Sequence, residues 1–75
     1  MIQIDMKVME DGDNVYTFEA NNTDYEIMNT PGNPIYWVWS KRKSLTGRTT
    51  PKPYTLDQLA KRSKALANFV KLIEA

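Results

Sequence analysis

The side chains that most often carry catalysis are missing from this chain of 75 residues, which contains no histidine and no cysteine. Without an imidazole or a thiolate, the usual structural zinc sites are excluded. A nucleophile would have to be a hydroxyl, an amine or a carboxylate. No catalytic motif surrounds Ser40, Ser44 or Ser63, and residues 47–49 (Gly-Arg-Thr) lack the spacing of a phosphate-binding loop. We therefore expect a protein that is not an enzyme and that uses no cofactor.

The acidic segment at residues 10–14 (Glu-Asp-Gly-Asp-Asn) contains carboxylates that could hold a hard cation. Its spacing differs from that of a calcium loop, because Gly12 directly follows Asp11 and Val15 occupies a position that must supply a ligand. Gly, Asp and Asn are instead the residues that tight turns require. We expect a hairpin turn here and no metal site.

Charge is distributed unevenly along the chain, although its net value is +1. Residues 1–28 contain seven acidic residues and one basic residue, Lys7, whereas residues 29–75 contain nine basic and two acidic residues. Such an asymmetry is a hint of interaction with nucleic acid, a membrane or a charged partner. The other interpretation is that the acidic and basic halves pair with each other inside one small fold.

Hydrophobic alternation predicts strands at about residues 2–9, 15–20, 25–29 and 35–41. Turn residues separate them at residues 10–14 and 21–24 and at residues 30–33, where Thr-Pro-Gly-Asn fits a type II turn. Residues 44–53 are rich in Gly, Thr and Pro and are expected to form a loop. A capping box at Thr55 and Gln58 begins a helix predicted at about residues 56–74, one face of which is apolar.

These elements predict a single domain over residues 1–75 with an α+β fold. We expect a small antiparallel β-meander of three to four strands, with one C-terminal α-helix packed on one face. The longest apolar run, residues 35–39, is far shorter than the roughly 20 residues that span a membrane. The first residues do not resemble a signal peptide, so we expect a cytoplasmic location.

Trp37 and Trp39 share one face of the fourth strand, and Lys41 and Lys43 continue the same parity. Aromatic rings followed by cations can stack on and neutralise single-stranded nucleic acid. We expect both indoles to lie in the core beneath the helix instead, because so short a chain needs its large apolar side chains inside. The uncovered face is then expected to be acidic and to repel phosphate. Its residues would include Gln3, Asp5, Lys7, Glu19 and Glu26.

The latter part of the chain supplies a basic surface made of a loop and a stripe on the helix. The basic residues of the loop are Lys41, Arg42, Lys43, Arg48 and Lys52, and those of the stripe are Lys61, Lys64 and Lys71. Leu72 and Ala65 are expected beside the stripe and away from the core. From this surface we predict a small binding protein that contacts nucleic-acid backbone with little sequence readout.

Two other functions also fit the sequence. The chain could be a protein-interaction module, such as a small inhibitor or adaptor of a macromolecular partner, that uses its acidic N-terminal hairpin. This acidic surface would comprise Asp5, Glu10, Asp11, Asp13, Glu19 and Glu26. The chain could also self-associate, with opposite charges of two copies in contact.

Overall fold

A five-stranded antiparallel sheet is followed by two helices in the computed structural model, which describes residues 3–43 and 50–74. The strands lie in chain order and are β1 (Asp5–Val8), β2 (Asn14–Ala20), β3 (Thr23–Asn29), β4 (Tyr36–Arg42) and β5 (Lys52–Tyr54). The helices are α1 (Leu56–Arg62) and α2 (Lys64–Glu74). The predicted α+β fold with an antiparallel meander is confirmed, with one more strand and one more helix than expected.

The turns between β1 and β4 contain residues with a positive φ, a conformation that Gly and Asn tolerate. Gly12 (φ 92°) lies in the β1–β2 turn, which begins at Met9, so that β1 ends one residue earlier than predicted. Asn21 and Asn22 (φ 53° and 62°) form the two-residue β2–β3 turn. Gly32 (φ 86°) lies in the predicted type II turn, which a backbone hydrogen bond of 2.9 Å closes across residues 30–33.

The prediction of a loop over residues 44–53 is wrong at its C-terminal end, because Lys52 and Pro53 belong to β5. Residues 44–49 lie outside the part of the chain that the structure describes. β5 pairs antiparallel with β4, with Tyr54 opposite Tyr36 and Lys52 opposite Val38. Proline lacks an N–H and is tolerated in an edge strand, where alternate amides point away from the sheet. The prolines that suggested a loop are therefore compatible with this short strand.

The single helix predicted at about residues 56–74 is interrupted at Ser63. Ser63 has extended backbone angles (φ −157°, ψ 162°), and its Oγ accepts a hydrogen bond from the Leu66 amide at 3.2 Å. Serine is a strong N-cap residue, so Ser63 begins a second helix instead of continuing the first. The predicted capping box is confirmed, because Thr55 Oγ1 accepts from the Gln58 amide and Gln58 Oε1 accepts from the Thr55 amide.

The core lies between the helices and one face of the sheet. Its buried residues are Phe18, Ile27 and Val38 from the sheet and Leu59, Leu66, Phe69 and Val70 from the helices. The Phe69 ring stacks on Phe18, with 5.5 Å between ring centroids, and meets Tyr16 edge-on at 5.2 Å. Ala65 is also buried, so its predicted place beside the basic stripe is wrong. The prediction assumed one continuous helix, and the break at Ser63 removes that assumption.

One buried amide connects the end of β3 to the segment that leads into β4. Asn29 is buried, and its Nδ2 donates to Asn33 O and Ile35 O, both at 2.8 Å. The Asn33 Oδ1 in turn accepts from the Ile35 amide at 2.9 Å. Buried polar groups are tolerated when they are hydrogen-bonded in this way. Asn29 therefore stabilises the conformation that positions the start of β4.

Replacing Asn29 with Leu should lower the free energy of unfolding by about 1–3 kcal/mol, because two carbonyl oxygens lose a donor. Urea denaturation followed by circular dichroism measures this change. Asn68 on α2 is exposed, so N68L is the matched control and should change stability by about 0.5 kcal/mol or less. If N29L were as stable as the wild type, the β3–β4 connection would not depend on this amide.

Candidate functional site

The face of the sheet opposite the helices, here called the outer face, carries the two tryptophans. Val38 points into the core, so its neighbours Trp37 and Trp39 point to the other side. Trp37 is 42% exposed and Trp39 is partly buried. The expectation that both indoles lie beneath the helix is therefore wrong. Val38 occupies the inward position of β4, and the alternation of the strand leaves the outward positions to the indoles.

Side chains on the outer face form rows that follow the strand register. The first row is largely apolar and consists of Lys7, Val15, Met28, Trp37 and Pro53. The second contains Asp5, Thr17, Glu26 and Trp39, and the third contains Glu19, Asp24 and Lys41. The outer face therefore changes from apolar at one end of the strands to acidic at the other.

An open concavity of about 730 Å³ lies over the acidic end of the outer face. Its lining includes the carboxylates Asp5, Glu19, Asp24 and Glu26 together with Trp39 and Lys41. Three of these carboxylates belong to the acidic surface predicted from the sequence. Asp24 was missed because residues 21–24 were assigned to a turn, whereas Asp24 is part of β3.

The other predicted acidic residues lie elsewhere. Glu10, Asp11 and Asp13 belong to the β1–β2 connection, where the Asp11 carboxylate accepts a hydrogen bond from the Asp13 amide at 3.1 Å. This connection follows Val8, at the end of β1 away from Asp5. The structure therefore does not bring the six predicted acidic residues together, and the β1–β2 connection serves as a turn.

Carboxylates of β2 and β3 neutralise part of the predicted basic loop. Lys43 Nζ forms an ion pair with Glu19 Oε2 at 2.5 Å. The hydrogen bond with Glu19 raises the pKa of Lys43, and the charges of Glu19 and Asp24 act in the same direction. Lys41 lies opposite Asp24 in the β3–β4 register. These two lysines therefore face carboxylates, and the pair at Lys43 is too exposed to contribute much stability.

A second concavity, here called the basic cleft, lies on the helix side of the sheet. It has a volume of about 410 Å³, and its charged lining residues are Lys52 of β5 and Arg62 of α1. The residues that bring hydroxyl groups to it are Tyr25, Ser40, Thr50, Tyr54 and Ser63. Of the described residues that line the basic cleft, none is acidic. Within residues 3–43 and 50–74, neither Lys52 nor Arg62 has an ion-pair partner.

Arg62 is held over the ring of Tyr54, with 5.6 Å between its Cζ and the ring centroid. A cation–π contact of this kind restricts the guanidinium without neutralising its charge. Arg62 is not among the basic residues predicted from the sequence, because on one continuous helix it lay outside the lysine stripe. The signal that could have found it is Ser63, whose capping role ends α1 directly after Arg62 and places both residues at the basic cleft.

The remaining predicted basic residues in the described part of the chain lie at the end of β4 and on the two helices. Arg42 is exposed at the end of β4 and has the parity of the inward-facing Val38. Lys61 lies on α1, and Lys64 and Lys71 lie on α2, all exposed. The predicted stripe assumed one continuous helix, and the break at Ser63 places Lys61 on a different helix from the other two. Arg48 lies outside the described residues.

No protein-family model, curated protein or solved structure matches this chain. In the part of the chain that the structure describes, no helix combines the length and the apolar character that crossing a membrane requires. The same residues do not include three acidic side chains grouped closely enough to hold a metal ion. The function must therefore be inferred from the chemistry of the two concavities.

The exposure of Trp37 predicts a fluorescence difference between two single-tryptophan variants. Emission from W39F, which retains Trp37, should be red-shifted and readily quenched by acrylamide, because this residue is 42% exposed. W37F retains the less exposed Trp39. Its emission maximum should lie at a shorter wavelength than that of W39F, and acrylamide should quench it less. Blue-shifted and weakly quenched emission from W39F would contradict the assignment of Trp37 to the outer face.

Proposed function

We propose that this protein is a small non-catalytic binding protein whose basic cleft contacts the phosphate backbone of a nucleic acid. The observation that carries the proposal is the convergence of Lys52 and Arg62, from different elements, on one cleft with no described carboxylate in its lining. Clefts lined by one sign of charge concentrate the opposite charge from solution. An anionic ligand is therefore favoured at the basic cleft.

The donor groups of the basic cleft suit a phosphodiester. A guanidinium can donate two parallel hydrogen bonds to phosphate oxygens, and an ammonium supplies a compact positive charge. The cation–π contact with Tyr54 restricts the Arg62 guanidinium before a ligand arrives. Hydroxyl groups such as those of Tyr25 and Thr50 can donate to phosphate or sugar oxygens. The described lining contains no Asn or Gln, so we expect positioning on the backbone with little base readout.

Binding is expected on one side of the molecule. Lys61 and Lys64 flank Arg62 and Ser63 in the chain, and Arg42 lies on the helix side of β4, so further phosphates could be bound next to the basic cleft. The outer face carries the acidic concavity and would repel phosphate. The helix side therefore forms the proposed nucleic-acid interface.

The proposal predicts a steep salt dependence that requires Lys52 and Arg62. Affinity for labelled single-stranded and duplex DNA and RNA, measured by fluorescence anisotropy, should fall about ten-fold or more between 50 and 200 mM salt. The double variant K52Q/R62Q should bind more weakly at low salt. Its log–log salt slope should be smaller than that of the wild type by about two, because two phosphates would no longer be neutralised.

The matched control is K41Q/K43Q, which removes the same charge next to carboxylates of the sheet. This variant should retain nearly the wild-type affinity and salt slope. Equal losses in both double variants would show that net charge, and not the basic cleft, controls binding. Failure to bind every oligonucleotide at low salt would remove the proposed function.

A second candidate function is favoured by the outer face, which could make the chain a protein-interaction module such as an inhibitor or adaptor. Trp37 is 42% exposed and lies in one row with Val15 and Met28, beside the acidic concavity. Exposed aromatic residues are frequent binding hot spots, and indole rings attract cations. We propose that a partner at this face would be a basic protein segment, whose charges meet carboxylates such as Asp24.

An oligo-arginine peptide is a direct probe of this second function. Binding should change the tryptophan fluorescence and should be weakened several-fold in D5N/D24N, because two carboxylates of the concavity lose their charge. The matched control D11N/D13N removes the same charge from the β1–β2 connection and should bind like the wild type. Equal weakening in both variants would mean that the peptide responds to net charge, which would contradict a site on the outer face.

A further inference from the structure

The free edge of β1 is bordered by the largest group of exposed apolar side chains in the described residues. Among residues 3–43 and 50–74, β1 is the first strand of the sheet and pairs on one side, with β2. Met6 and Val8 are 59% and 58% exposed, and Leu72 of α2 is 41% exposed. A groove of about 390 Å³ between β1 and α2 is lined by Ile4, Met6, Tyr16, Leu72 and Ile73. An unpaired strand edge beside an exposed apolar strip is a site where another strand can add.

The hairpin geometry shows which backbone groups face the free edge. The Met9 amide donates to Asp13 O at 2.8 Å and closes the β1–β2 hairpin. In an antiparallel ladder, hydrogen-bonded and non-hydrogen-bonded pairs alternate, so Lys7 and Asp5 direct their backbone groups toward β2. Met6 therefore directs its N–H and C=O outward, as do the residues two positions before and after it.

The charges of β1 select one register for a second copy of this chain. A strand that adds antiparallel must place outward-directed residues opposite each other, because only these have backbone groups to offer. With Met6 opposite Met6 of the second copy, Asp5 faces Lys7 of that copy, and Lys7 faces its Asp5. The neighbouring permitted registers place Asp5 opposite Asp5 or Lys7 opposite Lys7, and like charges in direct opposition are destabilising.

We propose that two copies of this chain associate through antiparallel pairing of their β1 strands, with Met6 at the two-fold axis, to form a continuous ten-stranded sheet. The occupant of the edge is a second copy because the strand is complementary to itself on both faces. The two ion pairs between Asp5 of one copy and Lys7 of the other form on the outer face. On the helix side, Ile4 of each copy lies opposite Val8 of the other. This dimer does not depend on the proposed nucleic-acid binding.

Lys7 does not protect this edge against association with a second copy of the chain. Lysine on an edge strand commonly prevents association, because a second strand would bury or oppose its charge. Asp5, two residues away on the same face, reverses this effect for one specific partner, a second antiparallel copy. An added strand without a carboxylate at the facing position would leave Lys7 unopposed. The pattern therefore favours self-association over unspecific strand addition.

A charge-swap series tests the dimer and its register. The mass of the chain, measured by sedimentation equilibrium without nucleic acid, should show a dimer that dissociates on dilution. K7D and D5K each place like charges opposite each other twice and should weaken the dimer by about ten-fold or more. The double variant D5K/K7D exchanges the charges, re-forms both pairs and should restore association to near the wild-type level.

Two controls separate association from folding. K64D makes the same charge change as K7D on an exposed position of α2 and should leave the dimer unchanged. Circular dichroism should show that every variant is folded. A wild-type monomer at all concentrations up to about 1 mM would overturn the proposal. A dimer that K7D and D5K leave intact, or a double variant that stays monomeric, would overturn the Met6-centred register.

Discussion

The packing of Phe69 against Phe18 and Tyr16 determines which face of the sheet the helices cover. Side chains alternate along a strand, and the strand register is continuous from β1 to β5. Covering Phe18 therefore also covers Ile27 and Val38, and it directs every residue of opposite parity to solvent. One aromatic cluster thus assigns the tryptophans and the four carboxylates of the strands to the outer face. The cations of β5 and of the two helices lie on the helix side.

Features that depend on a few neighbouring residues could be predicted from the sequence. The capping box of Thr55 and Gln58 and the turn at Gly32 are local, and both are present as expected. The acidic character of the uncovered face was also predictable, because the alternation around Met6 suggested which positions of β1 face outward. Asp5, Glu19 and Glu26 indeed line one concavity. Hydrophobic periodicity and the residues of the turns therefore account for the meander and for the negative charge of part of its outer face.

Features that depend on competition between distant residues could not be predicted in this way. Ser63 lies on the apolar arc of a continuous helix and is also a strong N-cap, and packing of the two shorter helices decides between these roles. The indoles compete with Val38 for the inward face of β4, and the pairing of Val38 with Ile27 decides that competition. The basic cleft joins Lys52 and Arg62 only after β5 and α1 are placed, which no local pattern of charges shows.

The separation of charge along the chain becomes a separation across the sheet. Acidic residues of β1 to β3 have outward parity, whereas the cations of β5 and of the helices lie on the helix side. Lys41 and Lys43, at the end of β4 and directly after it, lie beside the outer-face carboxylates Asp24 and Glu19. Within the described residues, the ion pair between the two halves therefore lies near the end of β4, and the acidic concavity and the basic cleft lie on opposite faces. A two-fold axis through Met6 and perpendicular to the sheet would place both outer faces on one side and both basic clefts on the other. Such a dimer would join two copies while preserving this polarity, because the association would bury neither face.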